Sequence, residues 1–76
     1  MQSRYLYIVR NRVREERSQR GISQAEVAAA LGVSRQTVIS IESGRYSPSL
    51  PLAFRIARFF DSTVDKMFDP DDEVDP

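Results

Sequence analysis

The chain has 76 residues, no cysteine and no histidine, and 41% of its residues are hydrophobic while 29% are charged. This length suits one small domain, and the composition is that of an ordinary globular protein. The missing residue types exclude disulfides, thiolate zinc sites and hydrolases that depend on a catalytic histidine. We therefore expect no catalytic residue, no metal site and no cofactor.

The net charge of zero conceals an uneven distribution of charge. Residues 1–60 contain ten arginines against four glutamates, whereas residues 61–76 contain one lysine against seven acids. Because the cationic residues of 1–60 are all arginines, this part of the chain suits the recognition of phosphate and guanine. Residues 69–76 are acidic, have little to bury and are predicted to form a disordered tail. Because no apolar run is long enough to cross a membrane, we expect a cytoplasmic protein without a membrane partner.

The N-terminal segment, residues 1–10, leads into the first predicted helix. Residues 4–10 are aromatic and β-branched, and they either form a short strand or continue directly into that helix. Asn11 is the predicted N-cap of a helix over residues 11–20, in which Val13 faces inward and which Gly21 ends.

Local signals also mark the beginning and end of the later helices. The predicted helices cover residues 24–31, 35–43, 50–60 and 64–68. The first three of them follow serine N-caps at Ser23, Ser34 and Ser49. Glu26 completes a capping box with Ser23, and Gly32 and Gly44 supply the positive φ at which a helix ends. Residues 61–63 provide the turn and the cap before the last helix.

Residues 24–43, QAEVAAALGVSRQTVISIES, carry the most informative pattern in the chain. Two helices joined by so short a turn do not lie antiparallel, and they cross steeply instead. Ala28 is small enough for a close approach of the two backbones, and Gly32 accommodates the turn. Apolar residues at suitable offsets face the rest of the domain, namely Val27, Leu31, Val33, Val38 and Ile41.

The first turn of the third predicted helix is polar. It contains Ser34, Arg35, Gln36 and Thr37, and Ser40 follows one turn later. Arginine binds guanine through two hydrogen bonds, glutamine binds adenine in the same way, and threonine contacts the thymine methyl group. The alternative is an ordinary αα-hairpin in a bundle, but its outer face has no need of these residue types. We therefore predict that the protein binds double-stranded DNA in the major groove.

The stretches RVREERSQRGISQAEVAAALGVSRQTVISIESGR and SPSLPLAFRIARFF resemble the phage-repressor/Cro-type helix-turn-helix family, also called the XRE family of bacterial and archaeal regulators. The resemblance covers roughly residues 9–68. It implies an all-α fold, a compact five-helix repressor-like domain over residues 11–68 with its helix-turn-helix at residues 24–43. It also implies a transcriptional regulator, for which we expect repression.

The family pattern implies roles for individual residues at matching positions. Residues expected to contact base edges are Arg35, Gln36, Thr37 and Ser40. Residues expected to contact the DNA backbone are Gln24, Ser43 and Arg45, to which we add Ser34 and the loop residue Tyr46. Arg17 and Glu42 match a pair that forms a structural ion pair, and a phosphate contact by Arg17 is the alternative. Ile39 is apolar, whereas a polar residue often occupies the matching position in the family.

One such domain makes too few contacts to discriminate well against non-specific DNA. We therefore expect a homodimer on a palindromic site, with half-sites about 34 Å apart. Helices four and five and residues 5–9 are the expected dimer contacts. The alternative function is an antitoxin-like or other protein-interaction module, in which the acidic tail binds a protein partner and DNA binding is autoregulatory.

Overall fold

The computed structural model describes residues 10–69 of the chain. Within this range the elements are β1 (Arg10–Asn11), α1 (Val13–Gln19), α2 (Gln24–Leu31), α3 (Arg35–Glu42), α4 (Leu50–Phe59), α5 (Val64–Met67) and β2 (Phe68–Asp69). The predicted five-helix fold is confirmed. None of the helices in residues 10–69 combines the length and apolarity that a membrane crossing requires.

A short antiparallel sheet joins the two ends of the described chain. Arg10 lies opposite Asp69 and Asn11 opposite Phe68. A disordered tail was predicted to begin at residue 69. Asp69 instead lies in β2, where its backbone pairs with β1. The predicted dimer contact at residues 5–9 and the acidic residues 70–76 lie outside the described residues.

Helix α1 begins two residues later than predicted. Asn11 lies in β1, and Arg12 occupies the N-cap position without a side-chain hydrogen bond to the helix. The Asn11 side chain still accepts a hydrogen bond from the Val13 N–H at 3.1 Å, and it donates one to the Ile41 carbonyl at 2.8 Å. One amide group thus satisfies an orphan N–H of α1 and ties this helix to α3.

The starts of α2 and α3 agree with the predicted caps. The Ser23 hydroxyl accepts a hydrogen bond from the Glu26 N–H at 3.0 Å, and the Glu26 carboxylate accepts one from the Ser23 N–H at 2.7 Å. This reciprocal pair is the predicted capping box. Gly32 ends α2 at a φ of 73°, and the Ser34 hydroxyl caps α3 by accepting from the Thr37 N–H at 3.0 Å.

The last two helices end within one residue of their predicted bounds. The Ser49 hydroxyl accepts a hydrogen bond from the Leu52 N–H at 3.3 Å and caps α4 as predicted. Thr63 precedes α5 without capping its backbone, which corrects the predicted cap. Its hydrogen bond to Asp65 instead lowers the pKa of that carboxyl below the usual value. Phe68 leaves α5 and enters β2.

The core lies where α4 packs against α2 and α5. Its largest fully buried side chains are Phe60, Ile41, Ile56, Met67, Val13, Val27 and Val38. Each side chain of this kind stabilises the fold by roughly 1.5–3 kcal/mol relative to an exposed one. Because α3 contributes Val38 and Ile41 to this core, its opposite face is turned away from the domain.

Candidate DNA-binding surface on helix α3

The turn between α2 and α3 begins beside a buried small residue. Ala28 is only 4% exposed, and its carbonyl accepts a hydrogen bond from the Val33 N–H at 3.0 Å. Val33 is half-buried and packs against the core from the turn. Val33 thus faces the rest of the domain as predicted, and the role of Ala28 at a close approach of the two backbones stays a prediction.

The predicted base-contacting residues occupy the outer side of α3. Arg35 and Gln36 are exposed, whereas Thr37 and Ser40 are half-buried. The hydroxyl groups of Thr37 and Ser34 lie 2.9 Å apart and share a hydrogen bond. Arg35 and Gln36 follow the N-cap directly, where the partial positive charge of a helix N-terminus attracts phosphate.

The predicted backbone-contacting residues of the loop gather at the other end of α3. Ser43, Arg45 and Tyr46 are all exposed. The Ser40 carbonyl accepts hydrogen bonds from the Arg45 and Tyr46 N–H groups at 3.0 and 3.2 Å and from the Ser43 hydroxyl at 3.1 Å. These bonds fold the loop back onto the end of α3, so its polar groups have a fixed place relative to the helix.

The two groups of residues are separated by the length of one short helix. Eight residues of α-helix rise by roughly 12 Å. This length is close to the width of the major groove of B-DNA, which is about 12 Å. A surface of this size suits contact with base edges from one end of α3 and with a bordering phosphate strand from the other.

Arg17 and Glu42 form a bidentate ion pair. The Arg17 Nε lies 2.7 Å from Glu42 Oε2, and Arg17 Nη2 lies 3.2 Å from Oε1. Their side chains are only 16% and 5% exposed, and the hydrogen bond to Glu42 raises the pKa of Arg17 above its usual value. The third guanidinium nitrogen donates to the Ile22 carbonyl at 3.2 Å. All three guanidinium nitrogens therefore donate to groups of the protein itself, which disfavours a phosphate contact by Arg17.

Gln24 belongs to the same cluster. Its side-chain Nε2 donates a hydrogen bond to Glu42 Oε1 at 3.1 Å. One carboxylate on α3 thus binds a side chain from α1 and a side chain from α2. The sequence indicated a backbone contact for Gln24 but gave no sign of this link to Glu42.

Arg55 on α4 has a structural role that the sequence did not reveal. Its guanidinium donates a hydrogen bond to the carbonyl of Leu31, the last residue of α2. A Cβ atom placed on Gly32 would lie 3.4 Å from the same guanidinium. Arg55 therefore links α4 to the turn between α2 and α3.

Within residues 10–69, no group of three or more His, Cys, Asp or Glu side chains is arranged to hold a metal ion. The outward side chains of α3 are polar groups that can form hydrogen bonds with bases and phosphates.

Comparison with known proteins agrees with this geometry. The family model HTH_3, described as helix-turn-helix, matches residues 13–67. An uncharacterized HTH-type transcriptional regulator from Archaeoglobus fulgidus is 45% identical over 65 residues, which cover 86% of this chain and 93% of the relative.

Solved structures show the same fold. The restriction-modification controller protein C.AhdI from Aeromonas hydrophila matches with a TM-score of 0.66 and 31% identity, over 72% of this chain and 83% of that one. Hydroxypropylphosphonic acid epoxidase from S. wedmorenis matches with a TM-score of 0.67, but its 24% identity and the 30% of its chain that is covered show likeness of fold alone. The family match and the relatives lead to one conclusion: the chain belongs to the XRE-type helix-turn-helix family of DNA-binding transcriptional regulators.

Proposed function

We propose that the protein binds a specific palindromic sequence in double-stranded DNA as a homodimer and represses transcription there. The observation that carries this proposal is the exposure of Arg35 and Gln36 on a helix whose other face is anchored in the core by Val38 and Ile41. Side chains in this position enter the major groove when the helix docks along it.

Base discrimination comes from the start of α3. Arg35 has the geometry for two hydrogen bonds to guanine, and Gln36 for two hydrogen bonds to adenine. Thr37 and Ser40 are half-buried, so they reach less far and contact a thymine methyl group or a nearby sugar. Each good bidentate contact discriminates against a wrong base by about 1–3 kcal/mol.

Affinity and register come from contacts to phosphate. Ser43, Arg45 and Tyr46 bind the DNA backbone beside the end of α3, and Ser34 binds it at the start. Gln24 uses one N–H of its amide for Glu42 and offers the second one to a phosphate. Contacts of this kind carry no sequence information, but they make binding strongly dependent on salt.

Repression follows from occupancy of the site. Two copies on a palindrome cover both half-sites on one face of the duplex, with centres about 34 Å apart. A duplex covered in this way is closed to other proteins that need the same base pairs. We place this activity in the cytoplasm.

Selection of bound duplexes from a random DNA pool tests the proposal. We expect enrichment of an inverted repeat with half-sites roughly 10 base pairs apart, each containing a guanine for Arg35 and an adenine for Gln36. The same selection with an Arg58→Ala variant, which removes an exposed arginine from α4, serves as the control and should enrich the same repeat. Enrichment of a single unrepeated site would contradict the dimeric proposal, and no enrichment would contradict specific recognition.

A further inference from the structure

Ile39 is an apolar residue on the outer face of α3. Val38 and Ile41 are each 1% exposed, and they define the face of α3 that packs against the core. Ile39 follows Arg35 by four residues and Gln36 by three, and side chains at these spacings are neighbours on a helix surface. Because an α-helix turns by about 100° per residue, Ile39 lies between Arg35 and Gln36 around the helix axis. It therefore occupies the middle of the surface that we propose for base contacts.

Ile39 does not belong to the hydrophobic core. Within residues 10–69, the partly buried hydrophobic residues that pack against the core are Ile22, Val33 and Val64. Ile39 is also half-buried, but it is not one of this group. An alanine in its place would favour the helix more, because a β-branched side chain loses rotamer freedom in a helix. The outward side chain of Ile39 is thus available for contacts outside the domain.

The chemistry of the major groove determines which group this apolar side chain fits. Base edges there present hydrogen-bond donors and acceptors, and the apolar group among them is the C5-methyl group of thymine. An apolar side chain over a donor or acceptor removes its water without replacing the hydrogen bond, which is unfavourable. The same side chain over the methyl group removes apolar surface from water on both molecules, which is favourable. Ile39 therefore fits thymine.

The helix also limits where this thymine lies. A β-branched side chain in a helix has one strongly preferred χ1 rotamer, so Ile39 points in a fixed direction relative to Arg35 and Gln36. The spacings of three and four residues correspond to helix rises of about 4.5 and 6 Å. Successive bases of one strand are about 3.4 Å apart along the duplex. The thymine should therefore lie within about two base pairs of the bases that Arg35 and Gln36 contact.

We propose that Ile39 is a specificity-determining residue, which contacts the methyl group of a thymine close to the bases contacted by Arg35 and Gln36. This inference rests on the DNA recognition of the proposed function and adds one base preference to it.

Replacement of thymine by uracil tests the proposal, because uracil lacks only the C5-methyl group. The duplex selected from the random pool is remade with uracil at one thymine position of each half-site at a time, and fluorescence anisotropy measures binding of the full chain. We expect one replacement near the Arg35 and Gln36 bases to weaken wild-type binding by about fourfold per half-site, the effect of one buried methyl group. Uracil in a scrambled duplex should change nothing.

Variants of Ile39 assign the affected thymine to this side chain. Ile39→Ala should bind the thymine and uracil duplexes equally well, because the side chain that covers the methyl group is removed. Ile39→Val keeps a β-branched apolar side chain and should still distinguish the two duplexes. Arg58→Ala, which removes an exposed arginine from α4, should show the same fourfold difference as the wild type. A thymine contacted by Thr37 is told apart because Ile39→Ala still responds to its replacement.

Each comparison is made between two duplexes with one variant, so a change in the stability of the variant does not alter the ratio. Circular dichroism shows whether each variant keeps its helices.

The result for Ile39 is separable from the result for the proposed function. If the selected duplex binds but no uracil replacement weakens binding, the role of Ile39 is wrong while DNA recognition stands. The same conclusion holds if Ile39→Ala loses as much affinity as the wild type at every replacement. If the wild type binds no duplex, or binds all duplexes equally, the proposed function and the role of Ile39 fail together.

Discussion

At the scale of single residues, the orientation of α3 depends on one carboxylate. The Glu42 side chain is 5% exposed and accepts hydrogen bonds from Arg17 on α1 and Gln24 on α2. A pair withdrawn from solvent in this way adds little net stability compared with apolar residues of similar size, but losing one partner leaves an uncompensated charge. Its principal effect is therefore to fix how the three helices meet.

Replacing Arg17 with methionine should expose this dependence. Arg17→Met leaves the Glu42 charge unpaired and should lower the free energy of unfolding by about 3 kcal/mol or more. The double variant Arg17→Met/Glu42→Met should recover most of that loss, because neither charge remains. Urea denaturation followed by circular dichroism measures both effects.

Arg12→Met is a matched control for that experiment. Arg12 pairs with Glu15, but the two side chains are 64% and 65% exposed. Removing an exposed pair changes the free energy of unfolding by less than about 1 kcal/mol. Equal losses for Arg17→Met and Arg12→Met would refute the role given to Glu42.

The sequence identified some contacts of individual residues and not others. The Arg17–Glu42 pair was indicated by family resemblance. The partners of Gln24, Asn11 and Arg55 lie 18, 30 and 24 residues away along the chain, and these contacts were not predicted. A side chain with several possible partners is assigned only when packing brings one of them within reach. Asn11 was wrongly predicted as the N-cap because its backbone lies in β1, so Arg12 holds that position.

At the scale of elements, agreement between sequence and structure is best where the signal is local. Helix α2 begins at its capping box and ends at Gly32 as predicted, because both signals lie within the helix or next to it. The β1–β2 pairing joins the two ends of the described chain, and no short segment of sequence reveals such a pair. The late start of α1 and the early end of α5 are both consequences of that pairing.

The turn at Gly32 provides a prediction at this scale. Its φ of 73° is unfavourable for residues with a side chain, so Gly32→Ala should lower the free energy of unfolding by about 1–2 kcal/mol. The added Cβ meets the Arg55 guanidinium at 3.4 Å, an ordinary contact, so space is not the limiting factor. Gly32→Asn should cost less, because asparagine tolerates this backbone region. Urea denaturation of the two variants is the measurement, and equal losses would show that backbone conformation is not the cause.

At the scale of the whole molecule, the two ends of α3 have separate roles in the proposed DNA complex. Arg35 and Gln36 are exposed at its N-terminal end, where we propose contacts to bases. Ser43, Arg45 and Tyr46 are exposed at its C-terminal end, where we propose contacts to the DNA backbone.

The proposed hydrogen bonds of Arg35 to a base are tested most directly by the binding of Arg35→Ala to two duplexes. Fluorescence anisotropy compares the selected palindrome with a scrambled duplex of the same length at fixed salt concentration, with Arg58→Ala as the control for loss of one positive charge. We predict that Arg35→Ala weakens binding to the palindrome by about 1–3 kcal/mol per site and barely changes binding to the scrambled duplex. Equal weakening on both duplexes would show that Arg35 contacts phosphate rather than a base, which would contradict the proposed base recognition.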